Sequence, residues 1–168
     1  MIWFKNIVLG ATLLALCVVV FGAYVRLMDA GLGCPDWPGC YGTLTVPESE
    51  SAIEKAQSSY PNSIIDKSKA WIEMAHRYIA SILGLMILSL TVLAYKNRNE
   101  LKVNPLLVYG LLGLVIAQGL LGMWTVTLKV HPLIVSAHLV GGLSTLSLLF
   151  YYYKKQSTQQ PTTKQKLS

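Results

Sequence analysis

Four apolar runs, each bracketed by basic residues, constrain this chain more than any other feature. Asn6 to Val25 lies between Lys5 and Arg26, and Tyr78 to Tyr95 between Arg77 and Lys96. Val103 to Leu128 lies between Lys102 and Lys129, and Val130 to Tyr153 between Lys129 and Lys154. A helix of about 20 mostly apolar residues crosses the hydrocarbon core of a bilayer. There it bonds its whole backbone internally, as the lipid requires. A mean hydropathy of +0.48 over 168 residues is too high for an ordinary soluble domain. The fold class read from these runs is all-α: an integral membrane four-helix bundle.

The basic residues set the expected orientation. Lys5, the group Lys96, Arg98 and Lys102, and the tail lysines 154, 155, 164 and 166 fall on one side, while seven of eight acidic residues lie between Asp29 and Glu73. The positive-inside rule then predicts both termini in the cytoplasm and a loop of about residues 28–70 outside. The net charge of +6 is accounted for by this asymmetry. No basic stripe interleaved with aromatics marks a nucleic-acid partner. The first run is long for a signal-peptide core and no small-x-small cleavage site follows it. Arg26 and Asp29 separate Gly31-Leu32-Gly33-Cys34 from the apolar run, which argues against lipidation.

Residues 1–153 read as one four-span membrane domain and 154–168 as a disordered cytoplasmic tail, polar and without apolar content. The lysine-rich tail also reads as the end of the chain. In the outer loop, Glu48 to Ser59 fits a short surface helix. The spans form two hairpins with a faint echo: Gly22 and Leu27 in the first match Gly122 and Leu128 in the second. Small residues on spans three and four allow close helix packing.

Ionisable groups within membrane helices are costly, so each is a functional candidate. His76 and His138 fall about 7–9 Å inside the outer ends of two helices that both run inward, and so share a layer. Twenty residues separate His76 from Lys96 and sixteen separate His138 from Lys154, a mismatch of ~6 Å that tilt can absorb. Two histidines on different helices suit axial ligation of a heme iron. A hydrogen bond between helices and another metal stay open, although zinc wants more ligands than Glu73 alone adds.

Glu73 shares a helix face with His76, three residues away, and can stabilise charge or move a proton at a heme edge. It is also spaced for an ion pair with Arg77. Arg77 and Arg26 suit heme propionates, or snorkel to headgroups. Cys34 and Cys40, on the oxidising side, read as a structural disulfide worth about 2 kcal/mol or as a redox pair. Cys17 reads as a packing residue, His131 as a solvated loop residue, and Trp37, Trp71 and Trp124 as an interfacial belt.

Three stretches together carry a family resemblance. Gly22-Ala23-Tyr24-Val25-Arg26-Leu27 leads into Ala30-Gly31-Leu32-Gly33-Cys34-Pro35-Asp36-Trp37-Pro38-Gly39-Cys40-Tyr41-Gly42. Glu73-Met74-Ala75-His76-Arg77 opens span two, and Gln118-Gly119-Leu120-Leu121-Gly122-Met123-Trp124-Thr125-Val126-Thr127-Leu128 leads through Pro132 to Ala137-His138-Leu139. Over residues 1–153 the chain resembles the N-terminal four-helix half of the heme A synthase family, membrane enzymes of cytochrome oxidase assembly. The resemblance implies oxidation of the C8 methyl group of heme O to a formyl group. It makes His76 and His138 axial ligands of the substrate heme, Glu73 the catalytic carboxylate, and Cys34 and Cys40 the outer disulfide. It also implies a heme b site in a second four-helix half, which this sequence lacks. A homodimer, a separate second-half subunit, or a shortened relative without synthase activity would each account for that. Heme O synthase and a redox partner are further implied partners. A heme-binding electron-transfer or carrier protein uses the same ligands without oxidation. A disulfide oxidoreductase acting through Cys34 and Cys40 would want a further cysteine pair.

Overall fold

The computed structural model describes residues 2–101 and 104–158. Its elements are α1 (Ile2–Leu27), α2 (Glu50–Ser59), α3 (Lys67–Lys96), α4 (Arg98–Leu101), α5 (Pro105–Thr127) and α6 (Pro132–Thr158). The described residues contain no strand, only an isolated bridge between Cys40 and Thr43. Helices α1, α3, α5 and α6 are each long and apolar enough to cross a membrane, so the four expected spans are present.

The helix starts are set by capping. Asp66 accepts from the N–H groups of Ser68 and Lys69 at 3.0 and 3.1 Å, which satisfies donors that a helix start leaves free. α3 therefore begins eleven residues before the apolar run does, and Glu73 and His76 lie well inside the helix rather than near its edge. Asn104 caps α5 ahead of Pro105, and Ser49 caps α2, the short loop helix read from the sequence. α6 continues to Thr158, five residues past the expected end of the membrane domain at residue 153. The rest of that tail lies outside the described residues.

The four long helices form a square. α1 packs on α3 and α6, and α5 packs on the same two. The histidine-bearing helices α3 and α6 thus stand across one diagonal, and α1 and α5 across the other.

Packing divides the bundle into three levels. At the end holding both described termini, Phe4, Val8, Ala11 and Ala15 of α1 close on Leu83, Ile87, Leu90 and Ala94 of α3, on Val108 and Leu111 of α5, and on Leu149 and Tyr152 of α6. At the other end, the loop between α1 and α3 folds into a cap with its own core of Cys34, Cys40, Tyr41, Val46, Ala56, Ala70 and Met74. Between these levels, no residue is buried over 16–24 of α1, 75–82 of α3, 112–125 of α5 or 132–144 of α6. The shortest of these stretches spans about 12 Å of helix. Packed helices bury the residues that face one another, so the helices pack less closely through this middle level than at either end.

Candidate functional site

His76 and His138 lie in this middle level, on helices facing each other across the diagonal. Both rings are half-buried, and in each the Nδ1 atom is buried without a hydrogen-bond partner. The sequence left a direct bond between helices open as their role, and neither Nδ1 makes one. Orphaned polar atoms in a low-dielectric interior are costly. Two of them in one level fit a site built to hold something.

Each imidazole rests over a glycine on the neighbouring helix of its own hairpin. A Cβ built on Gly22 would lie 3.0 Å from Cε1 of His76, and one on Gly122 would lie 3.5 Å from Cε1 of His138. The echo between the hairpins therefore has a physical content that the sequence reading understated. It extends to the helix ends. Met28 donates to Tyr24 O, and Ala30 to Val25 O; Leu128 donates to Trp124 O, and Val130 to Thr125 O. Asp29 and Lys129 both take left-handed conformations there, with φ of 50° and 49°. The repeat is one of 100 residues, which matches Leu27 with Thr127 and not with Leu128.

Glu73 and Arg77 join the site to the cap. One carboxylate oxygen of Glu73 accepts from Cys34 N–H at 2.9 Å, and the other pairs with Nη2 of Arg77. Nη1 of Arg77 donates to the carbonyls of Asp36 at 3.0 Å and Gly39 at 2.6 Å. The ion pair that the spacing allows is thus formed, and it is largely shielded from solvent. Gly33 lets the cap approach α3, since a Cβ there would lie 2.6 Å from the backbone of Lys69 and Ala70. Cys34 and Cys40 form a disulfide with Cα atoms 4.8 Å apart, both fully buried.

Asp36, given no role in the sequence reading beyond its place in the cysteine-loop motif, clasps this loop. Its carboxylate accepts from Tyr41 N–H at 2.6 Å and Gly42 N–H at 2.8 Å, across a turn where Tyr41 and Gly42 have φ of 54° and 76°. Burial, and then the charge of Asp36, push the Tyr41 hydroxyl above its ordinary pKa. It stays a donor, to Ile64 O at 3.3 Å. An acid five residues before a left-handed pair is the signal that could have flagged this clasp.

The remaining candidates separate. Arg26 is mostly exposed at the cap end, with only a 3.6 Å pairing to Asp29. His131 is exposed in the turn before α6, and Trp37, Trp71 and Trp124 are partly exposed near the same end. Cys17 does not pack as expected; it is an exposed free thiol on the outside of α1, where residue 17 points away from the buried stripe of Phe4, Val8, Ala11 and Ala15. Among the described residues no three His, Cys, Asp or Glu side chains come together as metal ligands.

Comparison with known proteins adds an independent line. Residues 5–168 match the family model described as cytochrome oxidase assembly protein. A heme A synthase of Shewanella oneidensis is 50% identical over 147 residues, covering 88% of this chain and 43% of that protein. Heme A synthases of Alkalihalophilus pseudofirmus and Geobacillus kaustophilus are 31% and 30% identical, covering 79% and 83% of this chain and 39% and 40% of their own lengths. The chain spans about two fifths of the length of the curated relatives it matches.

Proposed function

The chain belongs to the cytochrome oxidase assembly protein family that includes the heme A synthases, and on that premise we propose that it is a multi-pass membrane module binding a heme between His76 and His138. Its chemistry is then heme A synthase-like: oxidation of the heme O C8 methyl group to a formyl group, in concert with a second four-helix half. The observation that carries this reading is the loosely packed middle level with two histidines on diagonal helices, each with an unpartnered Nδ1. A planar ring held through both faces fits between two such side chains, and the glycines beneath the rings leave them room to turn.

Bound heme would supply the iron redox chemistry; the chain's own residues hold and arrange. His76 of α3 and His138 of α6 would hold the iron through neutral imidazoles. Glu73, one turn from His76 on the same helix, is the proposed catalytic carboxylate. It stabilises positive charge developing on the substrate's edge, or takes a proton from it, once it releases one of its two present partners. Arg26, exposed at the cap end, is the better-placed propionate partner, because Arg77 already holds cap carbonyls. We place the cap on the extracytoplasmic side from the distribution of lysines and acids, where a disulfide persists. The second half is supplied by a further segment, a second copy or a separate subunit, and a redox partner takes up the electrons.

Two measurements test the reading. His76→Ala or His138→Ala should abolish the heme absorption of the purified protein, and an intact spectrum would overturn the ligation. Co-expression with a heme O source should yield extractable heme A. Recovery of heme O alone would instead support a heme-carrier or electron-transfer role, which shares the ligands and lacks the oxidation.

A further inference from the structure

One polar group inside the bundle has no part in the reading above. Gln118 of α5 carries an Nε2 atom that is buried and has no hydrogen-bond partner. Its amide lies against the glycine pair of α6: a Cβ on Gly141 would collide with it, and one on Gly142 would lie 3.8 Å from its Oε1. That same Cβ would lie 3.6 Å from Val19 Cγ2 of α1. Helices α1 and α5 stand across a diagonal, so a point on α6 that meets side chains of both faces the bundle axis. The carboxamide therefore borders the interior, with Oε1 on its Gly142 side and Nε2 against Gly141. The Thr145 hydroxyl, one turn along α6 from Gly141, already donates to Gly141 O at 2.9 Å.

Depth decides what this amide can meet. Gln118 is four residues before Gly122, Val19 is three before Gly22, and Gly141 and Gly142 are three and four after His138. All fall about 5–6 Å deeper than the histidines, away from the cap. A ring held between α3 and α6 would present one edge toward the cap and the other toward this layer. Carboxylates are held at the hydrated cap end by the cost of burying charge in the membrane, so the edge that reaches Gln118 carries uncharged substituents. Heme O bears one hydroxyl group, on the alkyl chain at the edge opposite its propionates; heme B has no oxygen there.

Resting on the heme-binding reading above, we propose that Gln118 is a specificity-determining residue, its amide N–H donating to this hydroxyl and so selecting heme O over heme B. An apolar pocket discriminates weakly between hydrocarbon substituents, whereas a buried donor left without its acceptor disfavours the ligand that lacks the oxygen.

The test is a titration of the purified full chain, in detergent, with heme B, heme O and heme A, for the wild type and Gln118→Met, an apolar replacement of similar length. Heme O and heme A, which share the hydroxyl, should each bind about five- to tenfold more weakly to the variant, the range expected for one buried hydrogen bond. Heme B should be unaffected. Equal loss for all three hemes, or no loss for any, would overturn the assignment while leaving the heme site standing. A loss confined to heme A would move the contact to the formyl oxygen and overturn it too. Should Gln118→Met fail to fold, Gln118→Leu gives the same comparison. A wild type that binds none of the three hemes would overturn the histidine site itself.

Discussion

The two hairpins of this bundle, α1 with α3 and α5 with α6, solve the same problem with different connections. Both end their outgoing helix with the same backbone bonds and a left-handed residue, and both set a histidine of the returning helix over a glycine of the outgoing one. The second closes through a turn at residues 128–131 and adds nothing. The first is closed by residues 28–66, a folded cap tied to α3 by Glu73 and Arg77. The difference separates two tasks. On the heme-binding reading proposed above, holding a planar group takes only a histidine and a glycine per hairpin. Controlling what happens at its edge takes charge, and buried charge must be paired and hydrogen-bonded, which needs the extra chain.

The largest expected effect follows from that asymmetry. Glu73→Ala leaves Arg77 without its carboxylate and Cys34 N–H without its acceptor, so it should destabilise the protein by about 3–5 kcal/mol. Thermal unfolding in detergent measures this. Lys129→Ala, in the connection of the second hairpin, should stay within about 0.5 kcal/mol. If both substitutions cost the same, the cap is not fastened through Glu73.

The disulfide comes next. Its loop is short, with six residues of sequence separation, so Cys34→Ser together with Cys40→Ser should cost about 2 kcal/mol. Hydrogen exchange should rise in the cap, over residues 30–46, and not in α5 or α6. Heme absorption should be retained. Loss of heme A production with unchanged cap protection would instead assign the pair the redox role that the sequence left open.

How much of this was legible in the sequence depends on the range of the signal. The spans were legible because membrane hydrophobicity is local and continuous, and the cap helix because Pro47 and Pro61 bound the polar stretch Glu48 to Ser59. The histidine layer was legible as a depth, since rise per residue is constant. The diagonal placement of α3 and α6 was not: which helices neighbour which is a property of the whole bundle, and no single run encodes it. Gln118 stood in a quoted motif without a role, because its meaning lies in Gly141 and Val19, on two other helices. Glu73 and Arg77 were correctly paired by spacing, but their hold on the carbonyls of residues 36 and 39 depends on a loop fold that spacing does not carry.

The smallest effect tests the likeness between the hairpins most directly. A methyl group at Gly22 would meet the His76 ring at 3.0 Å, tighter than a relaxed contact, whereas at Gly122 it would meet His138 at 3.5 Å, an ordinary one. In a close-packed interior a few tenths of an ångström must be taken up by moving a ring or a helix. Neither ring has a hydrogen bond on Nδ1 to resist the push, so the ring moves first. Gly22→Ala should therefore weaken heme binding about tenfold, an expense of roughly 1.4 kcal/mol, with little change in unfolding temperature. Gly122→Ala should weaken it threefold or less, by about 0.6 kcal/mol. A shifted heme spectrum in the first variant and an unshifted one in the second would show that the two histidines are set by the same device at different tensions. Equal effects would make the hairpins true copies, and the cap, rather than the glycine step, would then be the whole of the difference between them.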